Sequence, residues 1–106
     1  MNDSIPHVEL IASVFAALGH PNRIRIVEFL RGGEKCQCEI QPAIGLEQSN
    51  LSRHIKILLQ AGVLSRRKEG TRTMLAVTDR GIFALIDQVR AARQSRPARR
   101  PMSLSS

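Results

Sequence analysis

The sequence predicts a mainly α-helical domain with one small β-hairpin, arranged as a winged helix-turn-helix. Three observations carry this prediction. Apolar residues recur at helical spacing in four stretches punctuated by glycine. A short element, a turn containing Gly45 and a longer amphipathic helix succeed one another between residues 36 and 61. Behind them, "VLSRRKEGTRTMLAVT" alternates on either side of Glu69-Gly70, the pattern of two short strands joined by a tight turn.

The first helix is expected over "VELIASVFAAL", residues 8–18, where Ile11, Val14, Phe15 and Leu18 share a face and Gly19 ends it. "HPNRIRIVEFLRGG" restarts a helix with Pro21 in its first turn and Ile24, Val27 and Leu30 on one side; Gly32 and Gly33 close it. The third element, "CQCEIQPAIG", contains Pro42, which a helix tolerates only in its first turn. A helix here is therefore expected to start late, near Glu39 or Ile40. "EQSNLSRHIKILLQA", residues 47–61, is the strongest helix, with Leu51, Ile55, Leu58 and Leu59 inside an arc of about 100°. After the hairpin, "DRGIFALIDQVRAAR" is helical again, with Asp79 near its start and Ile82, Ile86 and Val89 on one side. One domain is expected over residues 8–93, followed by a basic disordered tail, 94–106, biased toward Ser, Pro and Arg.

At 106 residues the chain has room for one modest core, and its stability is expected to lean on a partner subunit. With no Trp, no Tyr and three Phe, that core must be aliphatic. The net charge is +7, but five of the sixteen basic residues lie from Arg90 onward, where no acid accompanies them. No basic-then-apolar leader opens the chain, and no apolar run approaches the ~20 residues of a membrane span. From these features the protein is expected in the cytoplasm, with no membrane partner. There paired thiols bind metals or sense redox state more often than they form stable disulfides.

The long helix points to nucleic acid. Its polar face carries Ser49, Arg53, Lys56 and Gln60, with Asn50 and Ser52 flanking, and no acid between Ser49 and Gln60. A merely solvated face usually mixes signs, whereas these side chains suit base edges and phosphates in a major groove. The hairpin repeats the theme with Arg66, Arg67, Lys68 and Arg72 around Gly70. The expected partner is nucleic acid, double-stranded DNA with a major groove that such a helix can enter. Ser49, Asn50 and Arg53 are assigned to base edges, and Lys56, Arg67, Lys68 and Arg72 to phosphate, with Gln48 and Ser52 in the same DNA-facing set. His54 lies beside the apolar arc and is read as a structural residue. The three histidines are too scattered for a metal motif.

Three blocks, "ALGHPNRIRIVEFL", "GEKCQCEI" and "LSRHIKILLQAGVLSRRKEG", resemble in order and spacing the ArsR/SmtB family of metal-sensing bacterial repressors, over roughly residues 10–90. The resemblance implies a homodimer paired through its first and last helices. It further implies an inverted-repeat operator that is released when an effector binds. "KCQCE" resembles the thiolate motif of the arsenic-responsive branch, which assigns Cys36 and Cys38 as ligands of As(III) or Sb(III), with no organic cofactor. Gln41 stands where that branch often has a third cysteine. The last helix lacks the His of the family's zinc site, the N-terminus lacks the Cys of its cadmium/lead variant, and Thr73, Met74 and Leu75 replace aromatics common in the wing.

The spacing of the two cysteines has its own consequences. Residues i and i+2 of a helix point about 200° apart, whereas on an extended segment they share a face. Chelation and helix formation are thus expected to compete at the entrance to the helix-turn-helix. Soft thiolates favour thiophilic ions: As(III) and Sb(III) take about three sulfurs, mercury two, and tetrahedral zinc lacks further ligands here. Two other readings stand beside sensing: small buried fillers, and a redox pair closing a strained ring. An enzyme is not expected, because no CxxC, no strand-helix-strand setting and no catalytic base accompany the thiols.

Overall fold

The computed structural model describes residues 4–95. In chain order these form α1 (Ser4–Leu18), α2 (Pro21–Phe29), β1 (Lys35–Cys36), α3 (Gln37–Ile44), α4 (Gln48–Gln60), β2 (Leu64–Glu69), β3 (Arg72–Val77) and α5 (Gly81–Gln94). Helix α1 begins four residues before the expected start, because Pro6 falls in the first turn, where a missing N–H breaks no helical bond. Helix α5 runs one residue past the expected boundary at 93. The tail expected over 94–106 lies, from residue 96 on, outside the described residues.

Local chemistry explains the helix starts. His20 caps α2, its Nδ1 accepting from the Asn22 N–H at 3.0 Å, and Pro21 fills the first helical position. Helix α3 corrects the expectation of a late start. It begins at Gln37, so Pro42 sits in its sixth position and cannot donate to the Cys38 carbonyl. A cap at the other end offsets that lost bond. The Cys36 sulfur accepts from the Cys38 N–H at 3.2 Å, and the Glu39 carboxylate accepts from the Cys36 N–H at 3.3 Å. This is a capping box built on sulfur. Gly45, at φ 81°, ends α3 in the left-handed conformation that glycine adopts without strain, and the chain turns into α4 at Glu47.

The hairpin is part of a larger sheet than expected. The strand order is β1-β3-β2, all antiparallel, with Leu64 opposite Val77 and Glu69 opposite Arg72. The two-residue strand β1 adds to the other edge of β3, pairing Lys35 with Leu75 and Cys36 with Met74. Ile26, Leu30, Ile40, Leu51, Leu58, Val63 and Leu75 fill the centre, so α2, α3, α4 and the sheet share one aliphatic core. The α3–turn–α4 unit followed by the β2–β3 wing is the predicted winged helix-turn-helix.

Helices α1 and α5 are only partly spent on that core. Ala17 and Leu18 of α1 and Phe83 and Ile86 of α5 are buried, but Val8, Leu10, Ile11, Phe15 and Val89 are all more than half exposed. Five large apolar side chains on two neighbouring helices leave a face that the protomer alone does not cover. No helix of the described residues is long and apolar enough to cross a membrane.

Candidate functional site

Helix α4 turns Leu51, Ile55 and Leu58 inward, and this fixes what it presents outward. Gln48, Ser49, Ser52, Arg53 and Lys56 are exposed, and Asn50 is half-buried. Arg53 lies along the helix, its guanidinium donating to the Asn50 side-chain oxygen at 2.8 Å, and the Ser49 hydroxyl donates to Glu47 at 2.7 Å. All six sequence-assigned residues of the helix therefore share one acid-free surface, with the carboxylate of Glu47 standing just before it.

His54 is 6% exposed and belongs to the scaffold, as expected. Its Nδ1 lies 3.1 Å from the Arg23 guanidinium, which only donates, so Nδ1 accepts. The same guanidinium donates to the carbonyls of Ala17 at 2.6 Å and Ala16 at 3.5 Å, so Arg23 ties the last turn of α1 to α4. Burial first, and then the charges of His20, Arg23 and Arg53, hold the His54 pKa below its ordinary value. The imidazole is neutral when folded. In the unfolded chain it titrates near ~6.5, so the stability this site contributes is fully present above that pH. It is lost as pH falls from there toward the lowered folded value. Urea midpoints at pH 7.5 and 5.0 should drop more for the wild type than for His54→Gln; equal drops would show that His54 is not the titrating group.

Three of the wing cations, Arg67, Lys68 and Arg72, are tied to neighbouring side chains. Arg67 makes a two-pronged pair with Glu34, both contacts 2.7 Å, and a further contact with Glu69 at 3.2 Å. Arg72 reaches Glu39 at 3.6 Å, and Lys68 donates to the Thr73 hydroxyl at 3.3 Å. The Arg67 guanidinium hydrogen-bonded to it holds the Glu34 carboxyl below the usual carboxylate range. Glu34 and Glu39 flank the cysteines in sequence, so the acids beside the thiols hold the arginines of the wing. Sequence reading noted these acids only as neighbours of the thiols. Their opposite charge across a sheet register was the available signal, but the register depends on β1.

Cys36 is 3% exposed and Cys38 is exposed, and the two are joined as a disulfide across one residue, their Cα atoms 5.1 Å apart. The pair sits at the junction of β1 and α3, the first cysteine extended at φ −70°, ψ 141° and the second inside the first turn. The expected competition between chelation and helix is therefore not imposed. A strand-to-helix corner brings both sulfurs together with α3 fully formed. Gln41, at the third-thiol position, donates its amide to the Leu46 carbonyl at 2.9 Å and so braces the turn before α4. Once reduced, the two sulfurs at this corner would offer soft, low-coordinate ligation. No group of three or more His, Cys, Asp or Glu among the described residues could hold a metal ion.

The family model for bacterial regulatory proteins of the arsR family matches residues 20–66. An uncharacterized HTH-type transcriptional regulator of Methanocaldococcus jannaschii is 34% identical over 85 residues, 76% of this chain and 96% of the relative. The arsenical resistance operon repressor of Bacillus subtilis is 31% identical over 75 residues, 70% of this chain and 71% of the relative. In fold, the chain superposes on the solution structure of a homodimeric winged helix-turn-helix DNA-binding domain from Mycobacterium bovis, a possible ArsR-family transcriptional regulator. The TM-score is 0.80 at 23% identity, covering 89% of this chain and 87% of that one. These proteins are regulators, not enzymes.

Proposed function

The chain belongs to the arsR family of bacterial regulatory proteins, and from that membership we propose that it is a homodimeric transcriptional repressor. It binds an inverted-repeat DNA operator and releases it when a thiophilic metalloid, As(III) or Sb(III), is taken up by Cys36 and Cys38. One observation carries the switch: Cys36 ends the strand β1, which is hydrogen-bonded to β3 of the wing, and Cys38 lies in the first turn of α3. The name of the B. subtilis relative, an arsenical resistance repressor, supports the effector class.

The protomer offers a short path from thiol to DNA. The Cys36 sulfur caps α3 through the Cys38 N–H, and Glu39 bridges the Cys36 N–H to Arg72. An ion held between the two sulfurs sits at the N-terminus of α3, and a change of geometry there is felt at both ends of Glu39. Glu34 transmits it to Arg67 on the other side of the sheet. Bound DNA must in turn weaken effector binding by the same factor.

Sites selected from a random DNA pool, followed by anisotropy with and without arsenite on the reduced protein, test this reading. Arsenite should lower operator affinity, and an affinity indifferent to arsenite would overturn it. On the DNA side, Arg53→Ala should cost about 1–3 kcal/mol and relax sequence preference. Lys68→Ala should weaken all sequences alike and reduce the salt slope by about 1. Identical behaviour of the two variants would refute the division between base and phosphate contacts.

A second reading, a redox-responsive repressor, has the joined sulfurs of Cys36 and Cys38 behind it. Under that reading a disulfide-forming oxidant alone releases the operator, and arsenite adds nothing.

A further inference from the structure

Beside the cysteine pair a cleft of about 470 Å³ opens between the start of α3, the start of α4 and the wing turn. Cys36 and Cys38 form one side, Gln41 and Gln48 another, and Thr71 to Thr73 of the wing face them. Arg72 is the one charged residue of this lining. Its side chain is 54% exposed, and its long pairing with Glu39, at 3.6 Å, leaves most of its five N–H donors to an incoming anion. The volume is that of a small organic ligand, far more than a single ion needs.

Trivalent arsenic takes about three sulfurs, and this chain supplies two. Gln41 does not stand in for the third, because an amide offers only a hard oxygen where arsenic takes sulfur, and its nitrogen is held on the Leu46 carbonyl. We propose that the cleft receives a small thiol bearing a carboxylate, whose sulfur completes the coordination begun by Cys36 and Cys38 while its carboxylate rests on Arg72. This deepens the reading of the thiol pair as a metalloid site and rests on it.

The chemistry balances without redox change at arsenic. From As(OH)3, two protein thiols and one free thiol, three As–S bonds form and three As–O bonds break. The three thiol protons leave with the three hydroxides as water. Where Cys36 and Cys38 begin as a disulfide, two further equivalents of the same small thiol open it and leave as their own disulfide. Gln48 and Arg72 belong both to this cleft and to the proposed DNA face, so the occupant takes up donors that DNA would otherwise use.

Arsenite is titrated into the reduced chain, followed by sulfur-to-arsenic absorption, with no added thiol and then with mercaptoethanol, cysteamine or mercaptoacetate. In the wild type the anionic thiol should lower the arsenite Kd about threefold further than the neutral one, and the cationic thiol less than the neutral one. In Arg72→Gln the three thiols should become equivalent. The ratios are read within each variant, so any change in overall affinity cancels. Equal ratios in the wild type, or an unchanged ordering in Arg72→Gln, would overturn the proposal while leaving arsenite sensing intact. Absence of arsenite binding both without thiol and with any of the three, or binding that survives Cys36→Ser/Cys38→Ser, would overturn the sensing reading itself and the cleft ligand with it.

Discussion

With Cys36 replaced by serine, the chain is expected to bind its operator as before and to keep it when arsenite is added. The position makes this substitution unusually informative. Cys36 has two separable roles, as N-cap of α3 and as one of two thiols, and serine is a strong N-cap residue that preserves the first. Its hydroxyl oxygen can accept from the Cys38 N–H as the sulfur does, so α3 and the turn into α4 should stay formed. What is lost is the second thiolate of a chelate. Two ligands held on one short corner act at high effective concentration. Losing one should raise the arsenite needed for half-release by about 100-fold or more. Anisotropy on wild type, Cys36→Ser and Cys38→Ser reads this directly. Release of Cys36→Ser at wild-type arsenite would end the chelate account.

Phe15→Asp should convert a dimer into monomers at micromolar concentration. Phe15 is 55% exposed, and with Leu18, Ile24, Leu85, Ile86 and Val89 it lines an apolar groove between α1 and α5 of about 380 Å³. A second copy related by a two-fold axis would cover it with the same residues. An aromatic side chain at the centre of such an interface is commonly worth about 2 kcal/mol or more. A carboxylate buried there without a partner adds a desolvation penalty. The protomer should still fold, since the wild-type ring is not part of its own core, but its melting temperature should fall by what dimerisation contributes and lose its dependence on protein concentration. Operator affinity should fall about 100-fold or more, because each half-site is then bound singly. Sedimentation of the variant as a dimer, or of the wild type as a monomer, would remove α1 and α5 as the interface.

Helices whose apolar residues repeat over three turns or more were legible in the sequence. The face of α4, the burial of His54 and the β2–β3 wing followed from periodicity and turn chemistry alone. Strand β1 was not legible, because a two-residue strand has no period and exists only through its partner on β3. The start of α3 was misjudged because Pro42 counted against it locally, while the compensating cap is a sulfur, an acceptor that propensity reasoning does not weigh. The hold of Glu34 and Glu39 on the wing was hidden for the same reason as β1, since it joins residues 33 apart in each case. On α1 and α5 the apolar spacing was correct, but one protomer's sequence does not say which apolar residues meet its own core. Ile11, Phe15 and Val89 face away from it.

Strand β2 lies at the open edge of the sheet, six residues long and paired only with β3. An unpaired strand of that length is a template for sheet extension between molecules, and charge along it is the usual protection. Arg66, Arg67 and Lys68 occupy consecutive positions there, all exposed. The wing's cations are thus also what keeps two wings from zipping together. Stripping all three at once to probe nucleic-acid contact would uncover a sticky edge, and the resulting self-association would pass for a loss of binding. The charges of this strand can be questioned one at a time, but not together.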